Sequence, residues 1–239
     1  MNKRTLAVAV ASLLAASSAF AEDAKVQTAS DHISLFNVSL VCPAAPEIGC
    51  GYRSKPALLE LQRQPSIAEA WLNASGTVLA VVGTEGSNRD SRVKTVQSIL
   101  GKNGVSATEL TGEDGDVELK DFASRHDWYH GSEVDSLTKQ EAAIIAARWV
   151  RRAERKATLS EANAKALERD LAQVISDAVI ANTDVEKPEF TQELMKVARK
   201  NLDEKGVAAF QEAVAKGYRP QPEDNEGKKS RTPDCCSVN

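Results

Sequence analysis

The chain changes character near residue 137. Before that point, β-branched residues gather in short runs separated by Gly and Pro; after it, Ala, Glu, Lys, Arg and Leu dominate. The first pattern suits short strands between turns, and the second suits amphipathic helices. A single all-helical or all-sheet core is therefore excluded, and an α+β protein of two parts is expected.

In the first part the elements alternate. His32–Val41 reads as a strand with its centre at 35–41, and Cys42-Pro43-Ala44-Ala45-Pro46-Glu47-Ile48-Gly49-Cys50 reads as a loop. Ser54–Gln64 reads as a helix capped by Ser54, with Ala57, Leu58 and Leu61 on its apolar face. Ile67–Leu72 and Thr77–Val82 form a hairpin around Asn73-Ala74-Ser75-Gly76. Ser91–Lys102 is a second helix ending at Asn103-Gly104, and Val105–Leu110 is a fourth strand. The order β-α-β-β-α-β over residues 33–111 is that of a ferredoxin-like domain.

Residues 112–135 are read as a linker, acidic and Gly-containing at first and then irregular. Residues 136–218 follow as a small antiparallel helical domain of four helices. The first of these carries Ala143, Ile144, Ala147 and Val150 as its expected buried face. Its Arg148, Arg151, Arg152 and Arg155 alternate with Glu141 and Glu154 and read as a solvated face. Residues 219–239, with three prolines and many charges, are expected to form a disordered tail carrying Cys235 and Cys236.

Residues 1–21 have the form of a secretory signal peptide. Lys3 and Arg4 precede an apolar stretch too short to span a bilayer, and Ala19-Phe20-Ala21 is a cleavage site. Export to the periplasm is the expected fate, with full secretion second. The formal charge is −4, and without Lys3 and Arg4 it is −6. A mildly acidic chain with 5% aromatic residues and no basic patch is a poor nucleic-acid binder. No later segment is long and apolar enough for a membrane helix. There is no Gly-rich phosphate loop after a strand, and no nucleophile–base constellation stands out, so no enzyme activity is expected.

The four cysteines form two close pairs, Cys42/Cys50 and Cys235/Cys236. In an exported protein such pairs are disulfides or ports for thiophilic metals, and four cysteines allow three pairings. Thiolates suit Cu(I), Hg(II), As(III) or Zn(II), and a helix N-terminus next to Cys50 would favour the ionised form. Cys235/Cys236 could capture the same ion or exchange with Cys42/Cys50, or could be an incidental tail feature. His126 and His130 share an H-x-x-x-H spacing that would put both rings on one face of a helix, where a metal could bind; a packed aromatic connection with Trp128 and Tyr129 is the other reading.

The segment 34–110 resembles the heavy-metal-associated domain family. The resemblance is carried by Val38-Ser39-Leu40-Val41-Cys42 before the loop, by Gly49-Cys50-Gly51 before the helix, and by the hairpin strands Ile67–Asn73 and Thr77–Val81. Val96–Gly104 looks like that family's second helix and turn. The resemblance implies a metal ion held by Cys42 and Cys50. Those domains separate their cysteines by two residues, whereas here seven intervene, so the loop absorbs five more. The expectation is an exported binding protein for a thiophilic metal, serving trafficking or detoxification and meeting a membrane transporter or another periplasmic protein. Thiol-disulfide exchange and a disulfide-stapled interaction module are the alternatives.

Overall fold

The computed structural model describes residues 32–185 and 187–225. The expected signal peptide, Cys235 and Cys236 lie outside the described residues. Five strands and seven α-helices follow one another: β1 (Ile33–Val38), α1 (Gly51–Gln62), β2 (Ile67–Asn73), β3 (Val78–Gly83), α2 (Arg89–Lys102), β4 (Ala107–Leu110), α3 (Gly112–Ser124), β5 (Trp128–His130), α4 (Asp135–Glu154), α5 (Glu161–Ile180), α6 (Pro188–Asn201) and α7 (Glu204–Ala215). The fold is mixed α and β. All strands join one antiparallel sheet in the order β4-β1-β3-β2-β5.

The sheet is buried on both faces. Phe36, Val38, Leu72, Leu79 and Val81 point to one side, where Leu58 and Leu61 of α1 and Val96, Ile99 and Leu100 of α2 cover them. Leu35, Val78 and Ala80 point to the other, beneath Phe122 of α3 and Trp128 of β5. Both faces are apolar, so the central strand β3 reads as an unbroken apolar run, Val78 to Val82, while β1 is interrupted by Ser34 and Asn37.

Residues 112–135 depart from the linker expected of them. Glu113 and Asp114 lie in the first turn of α3, where carboxylates favour a helix N-terminus. Phe122 then anchors the helix, with its ring 4.8 Å from that of Trp128 and 6.4 Å from that of Trp71. Trp128–His130 extends the sheet beyond β2. Composition hid this unit because Gly112 and Gly115 imitate a connector. The expected tail also starts later than residue 219, since Pro222–Asn225 forms a short 3-10 helix.

A second core lies among α4, α5, α6 and α7, around Ile145, Leu167, Leu171, Leu194 and Phe210. Cys42, Ala44, Ala45 and Cys50 belong to this helical core rather than to the core of the sheet. The loop after β1 thus joins the two parts.

Candidate functional site

The seven residues between Cys42 and Cys50 do not hold the cysteines apart. A β-bridge between Val41 and Gly49 pinches the loop at its base. Inside it, the N–H of Cys42 donates to the carbonyl of Ile48 at 2.9 Å, and that of Ile48 to the carbonyl of Ala45 at 3.0 Å. Outside it, the N–H of Cys50 donates to Leu40 O at 2.7 Å. The extra residues form a closed excursion, and both cysteines stay beside its neck. The neck rests on the β2–β3 turn. Gly76 has φ +74°, and a Cβ there would lie 2.6 Å from Gly49 Cα, so only glycine fits.

Helix α1 begins a turn earlier than its sequence suggests. Cys50 is its N-cap, and the expected cap Ser54 is instead buried, with its hydroxyl donating to Cys50 O at 2.8 Å. The first turn lies directly on the start of α4: a Cβ at Gly51 would come within 2.4 Å of both Val134 O and Thr138 Oγ1. Gly51→Ala is therefore expected to cost about 1–3 kcal/mol, the usual penalty for overpacking, read as a lower urea midpoint. An unchanged midpoint would show that α1 and α4 can separate freely.

That contact brings Glu141 of α4 to the cysteines. The two sulfurs and a Glu141 carboxylate oxygen all lie within 4.8 Å of one another. Cys42 and Cys50 are free thiols, 1% and 5% exposed. The Cys42 sulfur accepts from the N–H of Ala44 at 3.2 Å. Its hydrogen bond to Cys50 raises its pKa most, with burial and the hydrogen bond to Glu141 adding to the rise. Cys50 moves the other way: the Cys42 thiol stabilises its thiolate, the backbone and charge of Arg53 assist, and burial and Glu141 oppose. The pair thus holds one proton on Cys42 and favours the anion on Cys50. Burial raises the pKa of Glu141, against the hydrogen bond from Cys42. The Oε2 of Glu141 is buried with no hydrogen-bond partner among the described residues.

Cys50 and Glu141 also line a cavity of about 470 Å³ between the loop and the helical core. Its walls include Ile145, Trp149, Phe190 and Leu194, with Arg53 and Tyr52 among its polar residues. Of the arginines expected on a solvated face, Arg151 and Arg155 are exposed, whereas Arg148 and Arg152 turn inward and secure this corner. Arg148 is buried, and its guanidinium donates to Ala44 O at 2.7 Å and to Tyr218 O at 2.6 Å. Arg152 is also buried. It holds Gly217 O, Arg219 O and both carboxylate oxygens of Asp224 at 2.6–2.9 Å. The buried face of α4 is consequently Leu137, Ala142, Ile145, Ala146, Trp149 and Val150, while Ala143 is exposed.

The two histidines do not share a helical face. His126 sits in a turn between two residues of positive φ, Arg125 and Asp127, and its side chain is 82% exposed and 3.0 Å from Asp127. His130 lies on β5, against Trp71 at 4.9 Å between rings and Gln62 at 2.6 Å. Neither joins a three-ligand group among the described residues. Glu141 is the functional candidate that sequence reading missed. It precedes Ile145 by one helical turn on the face that turns inward.

Two buried thiols, one favouring the anion, beside an unsatisfied carboxyl oxygen can bind a soft cation or exchange electrons as a dithiol. No protein-family model, no curated protein and no solved structure matches this chain, so the chemistry of the site rests on its own residues.

Proposed function

We propose that the protein is an exported, periplasmic binding protein for a thiophilic metal ion, which Cys42, Cys50 and Glu141 hold as cargo. The observation that carries this reading is the convergence of two sulfurs and a Glu141 carboxylate oxygen within 4.8 Å of one another, on a carboxyl group whose Oε2 is buried with no hydrogen-bond partner among the described residues. An unsatisfied buried oxygen costs about 1–3 kcal/mol unless something meets it. A cation between the two sulfurs would do so.

The donor set narrows the cargo. Two thiolates and one carboxylate leave a fourth position open, as in three-ligand zinc sites; the hard oxygen favours borderline Zn(II) over soft Cu(I), while the two thiolates also suit Hg(II). The strand order β4-β1-β3-β2, with α1 and α2 on one face, supports the finer reading of the first part as a ferredoxin-like domain. The pinched loop explains how a cysteine spacing of seven is compatible with the resemblance to heavy-metal-associated domains. Thiol-disulfide exchange is the second reading, favoured by the thiol–thiolate pairing of Cys42 with Cys50. It gives the open oxygen of Glu141 no task.

The test is native mass spectrometry of the reduced protein with Zn(II), Hg(II), Cu(I) and As(III), with Cys42→Ser/Cys50→Ser and Cys235→Ser/Cys236→Ser variants beside it. The expected result is one tightly held divalent ion, lost with the first pair and retained without the second. An ion retained by the Cys42→Ser/Cys50→Ser variant would move the site elsewhere.

A further inference from the structure

The ion site lies under cover. Cys42 and Cys50 are 1% and 5% exposed, and Cys50 with Glu141 reaches the cavity of about 470 Å³ beside the helical core. A cavity of that size accepts a ligand-sized group. Gly217 and Tyr218 stand in its wall, so the chain passes the cavity shortly before the described residues end at Asn225. Asp224 fixes the point of departure. Arg152 grips both of its carboxylate oxygens, and its Oδ2 lies 4.0 Å from Nε of Arg148. Arg148 donates in turn to Ala44 O at 2.7 Å, and the Ala44 N–H donates to the Cys42 sulfur at 3.2 Å. With one guanidinium and one residue between them, these contacts place the Asp224 carboxylate at most about 16 Å from that sulfur. Cys235 follows Asp224 by 11 positions, and Cys236 is next. A segment of that length spans about 36–40 Å when extended and about 17–20 Å on average as a coil. The second figure is close to the distance to be covered.

We propose that the segment after Asn225 turns back into this cavity and that Cys235 and Cys236 hand a soft divalent ion to Cys50 and Cys42. This inference rests on the proposed ion site. Tethered at this range, the two tail thiols meet the site at an effective concentration of the order of millimolar, which is greatest when the linker length matches the span. A carrier thiol free in solution has no such advantage at sulfurs so deeply covered. The transfer is an exchange of ligands. Cys235 and Cys236 first hold the ion between their two sulfurs, which suit the same soft cations as the buried pair. Cys50, in the cavity wall, forms a sulfur–metal bond as one tail sulfur lets go, and Cys42 then replaces the other. Any proton that a buried thiol gives up is taken by a released tail sulfur. The ion stays divalent throughout, so no oxidant or reductant is needed.

The experiment offers Hg(II) to the reduced full chain as its bis-glutathione complex, at saturating concentration, and follows tryptophan fluorescence by stopped flow. Trp149 shares the cavity wall with Cys50, so a heavy ion arriving there quenches it. The phase absent from Cys42→Ser/Cys50→Ser reports arrival at the site. Cys235→Ser/Cys236→Ser is expected to slow that phase at least about tenfold, the effect of removing a tethered ligand, while native mass spectrometry still finds the ion held by Cys42 and Cys50. Inserting about 30 Gly/Ser residues after Gly227 is expected to slow it about sevenfold, following the −3/2 power of linker length. Equal arrival rates with and without the tail thiols, or a rate indifferent to linker length, overturn the inference. If Hg(II) is still bound through Cys42 and Cys50 in that case, the proposed binding function stands alone. Absence of Hg(II) binding by those two cysteines overturns both.

Discussion

Lowering the pH is expected to weaken capture of a soft divalent ion by about a hundredfold per unit on the acid side, and by about tenfold per unit once Glu141 has ionised. A metal takes deprotonated ligands, so each proton it displaces makes affinity tenfold steeper in pH. Cys42 keeps its proton because it donates to the Cys50 sulfur and is buried, and Glu141 keeps its own through burial. Cys50 is shifted toward the thiolate, chiefly by the Cys42 hydrogen bond, and adds a further proton to the slope only below its own titration. Above that titration two protons leave while both raised groups are protonated, and one leaves above the Glu141 titration. Affinity therefore rises with pH, and the slope halves as it does so. Competition against a chelating indicator from about pH 5 to 8 measures this. Above the Cys50 titration, Glu141→Gln should show the single-proton slope throughout. A flat profile would mean that the ion does not displace the Cys42 proton.

Arg152→Ala is expected to destabilise the fold by about 3–5 kcal/mol, the cost of leaving a buried charge without its partner. Arg152 makes a two-pronged ion pair with Asp224, whose side chain is 7% exposed, and it also satisfies the carbonyls of Gly217 and Arg219. Truncation removes the two-pronged pair, leaving Asp224 with the Gln221 N–H and the longer approaches of Arg148 and Arg155, and Gly217 O with the Trp149 indole N–H. Arg151→Ala, one residue away on the exposed side, should stay within about 0.5 kcal/mol. Urea denaturation distinguishes the two, and equal midpoints would refute a clamp. Acid gives a second view. Arg152 holds the Asp224 carboxyl down to about 2. The stability that this depressed group contributes is present above its ordinary range, near 3.8, and is lost as pH falls through about 2.

Much of the element order was legible because each segment combined a period with punctuation. The β2–β3 hairpin announced itself by Asn73-Ala74-Ser75-Gly76, and the four helices of the second half by stripes such as Leu167, Leu171 and Ile175. Three features were not legible. Helix α3 and strand β5 hide in a stretch whose glycines and acids imitate a linker, and only the far face of the sheet gives Phe122 its purpose. Arg148 and Arg152 look like surface charge because their partners, the carbonyls of Ala44, Gly217, Tyr218 and Arg219, lie 65 to 104 residues away. Glu141 is one glutamate among many until the absent side chain of Gly51 lets α1 lie against α4. In each case the missing information is a long-range contact, which local periodicity does not encode.

The order of the sheet has one more consequence, for how copies of the protein behave together. Its two borders are β4, with four residues, and β5, with three. The longer strands β1, β2 and β3 are all interior. A neighbouring chain that tried to add a strand would meet these two short strands and the part of β2 that β5 does not pair. The small β5 unit covers Trp71–Asn73 at the end of β2 and so shortens the edge that a fibril-like association could use.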